Sequence, residues 1–161
     1  MHKKYELTDE TLEWNGRTLY RIRALADFED VKAGDLGGWI EKEENLSYDD
    51  NARVYGDALV YDDARVCGNA WVCGNARVCG NAEICKTEDY FTAGPIGSRN
   101  DTITFFRCKD GKIRATTGCF YGDLDQLEAA VRSKHQNNNY AQAYMAVIAA
   151  AKAQIGADQN V

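Results

Sequence analysis

The sequence predicts a mainly β chain: a short parallel β-helix in the middle, strands capping its N-terminal side, and an α+β module after it. Three observations carry this. From Asn51 the chain reads NARVYG, DALVYD, DARVCG, NAWVCG, NARVCG, NAEICK, a period of six unbroken across 36 residues. Upstream, Leu19 to Leu25 alternates in hydropathy behind an Asn15-Gly16 turn signal. Downstream, two strand-like runs precede two helix-like apolar stripes. The expected segments are 1–44 for the N-terminal β cap, 45–90 for the repeat and 95–161 for a ββαα module.

In the cap, Leu19-Tyr20-Arg21-Ile22-Arg23-Ala24-Leu25 reads as a strand, and a first strand near Tyr5–Leu7 or Leu12–Trp14 pairs with it. Asp35-Leu36-Gly37-Gly38-Trp39-Ile40 then leads into the repeat, with Trp39 covering its open end. The glycines from Gly34 to Gly38 lack the Lys-Ser/Thr of a phosphate-binding P-loop.

Within the repeat, Val54, Val60, Val66, Val72, Val78 and Ile84 are β-branched and suit short strands with one buried face. The small alanines from Ala52 to Ala82 point inward at corners. Three six-residue sides close one coil, so residues eighteen apart stack, Arg65 on Glu83 and Arg53 beside Trp71. Arg53, Tyr55, Leu59, Tyr61 and Trp71 then share an edge with more exposed apolar surface than a monomer needs. That edge is the expected subunit interface of a trimer or higher homo-oligomer, unless the terminal modules fold back over it.

Cys67, Cys73, Cys79 and Cys85 follow the repeat period, and the first three face three different ways. They lack the close paired spacing of structural zinc sites, so no metal is expected. Only Cys67 and Cys85 share a face. Strands about 4.8 Å apart fall inside the disulfide Cα range of roughly 4.4–6.8 Å, so this pair is within reach of oxidation. Reduced thiols are the default for a chain whose Met1-His2-Lys3-Lys4 start has no apolar signal region.

The charge divides the chain. Residues 1–94 carry eleven basic and nineteen acidic groups (−8), and residues 95–161 carry eight and six (+2). The only proline, Pro95, stands at the border, before Gly97-Ser98-Arg99-Asn100-Asp101. Strands follow over Thr102–Cys108 and Lys112–Cys119, then a helix capped by Asp123 and Gln126, then a second from about Tyr140 to Ile155. Four consecutive hydrogen-bonding side chains exceed what a linker requires. Ser98, Arg99, Asn100, Asp101 and Arg107, with Phe120 or Tyr121 as a stacking surface, are therefore the candidate site for a small anion.

The Leu19–Leu25 segment, Asp35 to Glu41 and the Asn-Ala-x-Val-x-Gly units together resemble hexapeptide-repeat left-handed β-helix proteins common in bacteriophage and prophage genomes. The resemblance covers roughly residues 5–86. The part from Gly97 to Phe120 looks like a module attached to several small phage proteins. The resemblance implies a left-handed coil and a viral accessory protein of immune evasion, acting against host defence in the bacterial cytoplasm. Such a protein sequesters a small anionic, nucleotide-like ligand. Alternatively it docks on a host defence complex through acidic corners at Asp49, Asp50, Asp57, Asp62 and Asp63, as a nucleic-acid mimic.

Several classes are disfavoured. A net charge of −6 argues against direct nucleic-acid or membrane-surface binding. No apolar run reaches the roughly 18 residues of a membrane helix. A hexapeptide acyltransferase needs a histidine base, and only His2 and His135 are present. His135 reads as a cation at a helix end. No catalytic residue and no cofactor are assigned, and the reading is a non-catalytic binder.

Overall fold

Asn15 and Gly16 both take positive φ, 51° and 78°, the backbone that a two-residue hairpin turn demands. They join β1 (Tyr5–Trp14) to β2 (Arg17–Ala24) in an antiparallel pair with Trp14 opposite Arg17. The computed structural model describes residues 3–156. They divide into two compact units, one ending at Thr87 and one beginning at Glu88.

In the first unit β2 also pairs antiparallel with β3 (Leu36–Ile40). The repeat then supplies six strands of two residues: β4 (Arg53–Val54), β5 (Leu59–Val60), β6 (Arg65–Val66), β7 (Trp71–Val72), β8 (Arg77–Val78) and β9 (Glu83–Ile84). One mixed sheet runs β1-β2-β3-β5-β8, and β4-β7 and β6-β9 form two further pairs. Arg53 lies opposite Trp71, Leu59 opposite Arg77 and Arg65 opposite Glu83, all in parallel.

This corrects the expected fold class. The two larger sheets are mixed or antiparallel, the parallel pairs β4-β7 and β6-β9 are only two residues long, and no left-handed parallel β-helix is seen among the described residues. The physical reason lies in the length of the units. Each six-residue unit gives only two residues to a strand and the rest to turn backbone. Parallel pairing is thus confined to two-residue contacts, while the long strands are closed by hairpin turns and pair antiparallel.

The interior of the first unit is nonetheless set by the repeat. The aliphatic positions from Val54 to Ile84 and the alanines from Ala52 to Ala82 are buried. Burying each such valine contributes on the order of 1.5–3 kcal/mol. Asn45, fully buried, closes one end of this core. Its Oδ1 accepts from the N–H groups of Glu41 and Lys42, at 3.0 and 2.9 Å. Its amide donates to the carbonyls of Asp62 and Ala64, at 3.2 and 2.8 Å.

The second unit is a four-stranded antiparallel sheet in the order β10 (Tyr90–Ile96), β11 (Asp101–Arg107), β12 (Ile113–Thr117), β13 (Phe120–Asp123). The expected module had two strands. Tyr90–Ile96, which contains Pro95, and Phe120–Asp123 are further strands rather than border and loop. α1 (Leu124–His135) opens on a capping box, with Asp123 Oδ1 accepting the Gln126 N–H at 2.8 Å. α2 (Asn139–Gly156) follows. Ile103, Phe105, Leu127, Ile148 and Ile155 form the core between sheet and helices. No described helix is long and apolar enough to cross a membrane.

Candidate functional site

The turn between β10 and β11 presents Ser98, Arg99 and Asp101 to a cavity of about 180 Å³ inside the second unit. Phe120 at the start of β13 forms part of the wall, and Cys119 precedes it. The last turn of α1 adds Lys134 and His135, and α2 adds Tyr144. Arg99 and Lys134 against Asp101 leave one net positive charge on the lining, the histidine not counted. The C-terminal carbonyls of α1 carry a partial negative charge of about half a unit, which the two cations exceed.

Two walls of this cavity depend on glycine. A Cβ at Gly97, whose φ is +79°, would collide with the Tyr144 hydroxyl. A Cβ at Gly118 would collide with the Arg99 guanidinium. Burial raises the Tyr144 phenol above its ordinary pKa; the Arg99 charge opposes this and Asp101 reinforces it. The buried His135 ring lies 5.2 Å from that of Tyr140 and 6.0 Å, stacked, from that of Tyr144. That packing makes the histidine part of an aromatic wall. His2, the other histidine considered as a base, lies outside the described residues.

Of the residues singled out in the sequence, the structure brings Ser98, Arg99, Asp101 and Phe120 to one cavity. Asn100 adopts φ 52° and gives its N–H to the Gly97 carbonyl at 3.2 Å, so it shapes the turn. Arg107 is held elsewhere: Nε meets Asp89 Oδ1 at 3.0 Å, and Nη2 donates to the Ile155 carbonyl. Tyr121 is exposed and stacks on Phe106 at 6.3 Å. Lys134, His135 and Tyr144 were missed because their approach to the Ser98–Asp101 turn is a tertiary contact with no sequence signal.

The aromatic edge of the first unit divides in the same way. Leu59, Tyr61 and Arg53 are buried within the chain, and Trp14 Nε1 donates to the Tyr61 hydroxyl at 3.3 Å. Tyr55 and Trp71 remain exposed, and the Arg53 guanidinium lies 4.0 Å from the Trp71 ring centroid. Part of the acidic set is neutralised internally: Asp62 pairs with Arg17 at 2.5 Å and Asp63 with Lys42 at 3.1 Å.

Cys67 and Cys85 form a disulfide, with Cα atoms 4.5 Å apart. Cys67, Cys73 and Cys79 follow strands of three different sheets. Among the described residues no cluster of three or more histidine, cysteine or acidic side chains is arranged to hold a metal.

No protein-family model matches the chain. No curated protein matches it. The resemblance to left-handed hexapeptide-repeat proteins of phage is therefore corrected, because neither a matching family nor that fold is found. The phage origin, immune evasion, anti-defence role and nucleotide binding that it implied lose their support with it; the oligomer was expected instead from the aromatic edge, where Leu59, Tyr61 and Arg53 are buried within the chain. The molecule is described by its own geometry: a small β-rich chain with two C-terminal helices.

Proposed function

We propose that the protein is a non-catalytic binder of a small anion of the phosphate class, held in the cavity of the second unit. The observation that carries this is the convergence of Arg99 and Lys134, from a turn and a helix end, on one cavity with Ser98. Charged donors fixed by a rigid framework are what recognise a compact oxyanion. The cavity of about 180 Å³ lies below the roughly 300 Å³ at which drug-sized pockets begin. It therefore takes an anionic head group rather than a whole large ligand. Phe120 and Tyr144 provide flat apolar walls for what the head group is attached to.

Thermal unfolding with inorganic phosphate and pyrophosphate tests the reading. At a hundredfold excess over Kd a ligand bound only by the folded state stabilises it by about 2.7 kcal/mol. Arg99→Ala and Lys134→Ala are expected to keep the ligand-free melting temperature within a few degrees and to abolish that stabilisation. Stabilisation that survives both substitutions, or none from either anion with the wild type, overturns it.

A further inference from the structure

The first unit holds a second cavity, of about 390 Å³, that the anion site does not involve. Its walls are aromatic and aliphatic: Phe28, Tyr55, Trp71 and Leu36, of which the last three are exposed at 36%, 41% and 54%. Three charged side chains join them, Arg53, Asp30 and Asp35. The Arg53 side chain is only 7% exposed. Its Nη1 pairs with Asp30, yet its Nε is buried with no hydrogen-bond partner among the described residues. An unmatched buried donor on a cation is costly. Arg53 is part of the cavity lining, so its cation is presented to whatever occupies the cavity.

The Asp30 carboxylate is 80% exposed and held below its ordinary pKa chiefly by its hydrogen bond to Arg53. Asp35 accepts the Lys32 N–H at 2.9 Å. With one cation against two carboxylates, a simple anion would meet net repulsion. A ligand that offers a carboxylate to Arg53, an ammonium to Asp30 and Asp35, and a flat ring to Trp71 and Tyr55 satisfies every wall. We propose that this cavity binds a free aromatic amino acid in its zwitterionic form. The volume falls within the range of about 300–1,000 Å³ usual for small-molecule pockets.

Titration calorimetry of the full chain with L-phenylalanine tests this, with phenethylamine and 3-phenylpropionate as analogues lacking the carboxylate or the ammonium. Phenylalanine is expected to bind saturably, and each analogue at least tenfold more weakly. Trp71→Ala, at an exposed position, is expected to weaken binding tenfold without loss of fold. Arg53→Gln is expected to abolish the preference over phenethylamine. Inorganic phosphate is expected not to compete, which separates this site from the anion cavity. The proposal is overturned if phenylalanine gives no heat at millimolar concentration, or if both analogues bind as well as it does. It is also overturned if sedimentation shows an oligomer that Trp71→Ala splits into monomers, since the aromatic edge then serves self-association.

Discussion

Arg99 lays its guanidinium over Gly118, in the space that any larger residue's Cβ would take. The two residues belong to different turns, one before β11 and one between β12 and β13. Gly118 also has φ +53°, a left-handed conformation. One glycine thus fixes both the turn and the place of a proposed ligand-binding cation.

Gly118→Ala is therefore expected to do two things at once. The left-handed backbone costs an L residue about 1–2 kcal/mol, seen as a lower midpoint in denaturant. The added methyl also displaces Arg99, so anion stabilisation falls even where the variant is fully folded. If the affinity for phosphate is unchanged in folded Gly118→Ala, Arg99 does not contact the anion.

Asn45 serves four backbone groups from one buried side chain. Asn45→Ala removes that partner from all four, although the Glu41 N–H keeps its bond to the Val60 carbonyl at 3.2 Å. At about 1–3 kcal/mol for each buried group left unsatisfied, and with water reaching some of them, a loss of roughly 2–4 kcal/mol is expected. Asn45→Asp keeps the two accepted bonds and loses the two donated ones. Equilibrium unfolding in urea should rank it with the alanine variant, not with the wild type.

Arg107 and Asp89 form a pair whose side chains are 17% and 6% exposed. Removing one partner strands the other charge, which costs about 3–5 kcal/mol for a buried pair. Asp89→Leu and Arg107→Met are each expected to destabilise the second unit. The double substitution is expected to recover most of the loss. Additive losses in a double-mutant cycle would show that the two residues do not interact.

Lys4 donates to the Ala52 carbonyl at 2.7 Å and to that of Asp50 at 3.2 Å. Burial lowers its pKa to about 8, against the opposing charges of Asp50 and Asp49. The unfolded chain, at the ordinary value of 10.5, binds the proton more tightly. Between these values stability from this group rises with pH, as the cost of burying the charge is relieved. Tyr48 acts in the opposite sense: burial first, then its bond to Glu43, pushes it from 10.0 up to about 12. Its contribution is complete below pH 10 and is lost as pH climbs towards 12. Unfolding free energies of wild type and Lys4→Met across this range should diverge in favour of wild type from pH 8 upward. A constant difference would refute the burial effect.

The Asn15-Gly16 hairpin and the capping box at Asp123 could be read directly, because a turn or cap needs only a few adjacent residues of the right type. So could the buried aliphatic rank from Val54 to Ile84, since its spacing alone sorts inside from outside. The site was legible in half: Ser98, Arg99 and Asp101 stand together in the chain, whereas Lys134 and Tyr144 reach them only across the packed module.

What the sequence determined by itself was local: where both helices and most strands lie, with Tyr90–Ile96 and Phe120–Asp123 excepted, which residues turn, and which side chains are buried in the repeat. Which strands pair, and with what polarity, was settled by tertiary structure. A two-residue strand has too few backbone hydrogen bonds to specify its partner, so the long hairpins and β3 set the mixed sheet. The same holds for charge. Arg53 and Arg107 look alike in sequence, both beside β-branched or aromatic neighbours. Only the folded chain gives Arg107 a buried carboxylate and a helix carbonyl, and leaves Arg53 with an unmatched Nε. Burial makes that difference count, because an unpaired donor costs little in water and a great deal away from it.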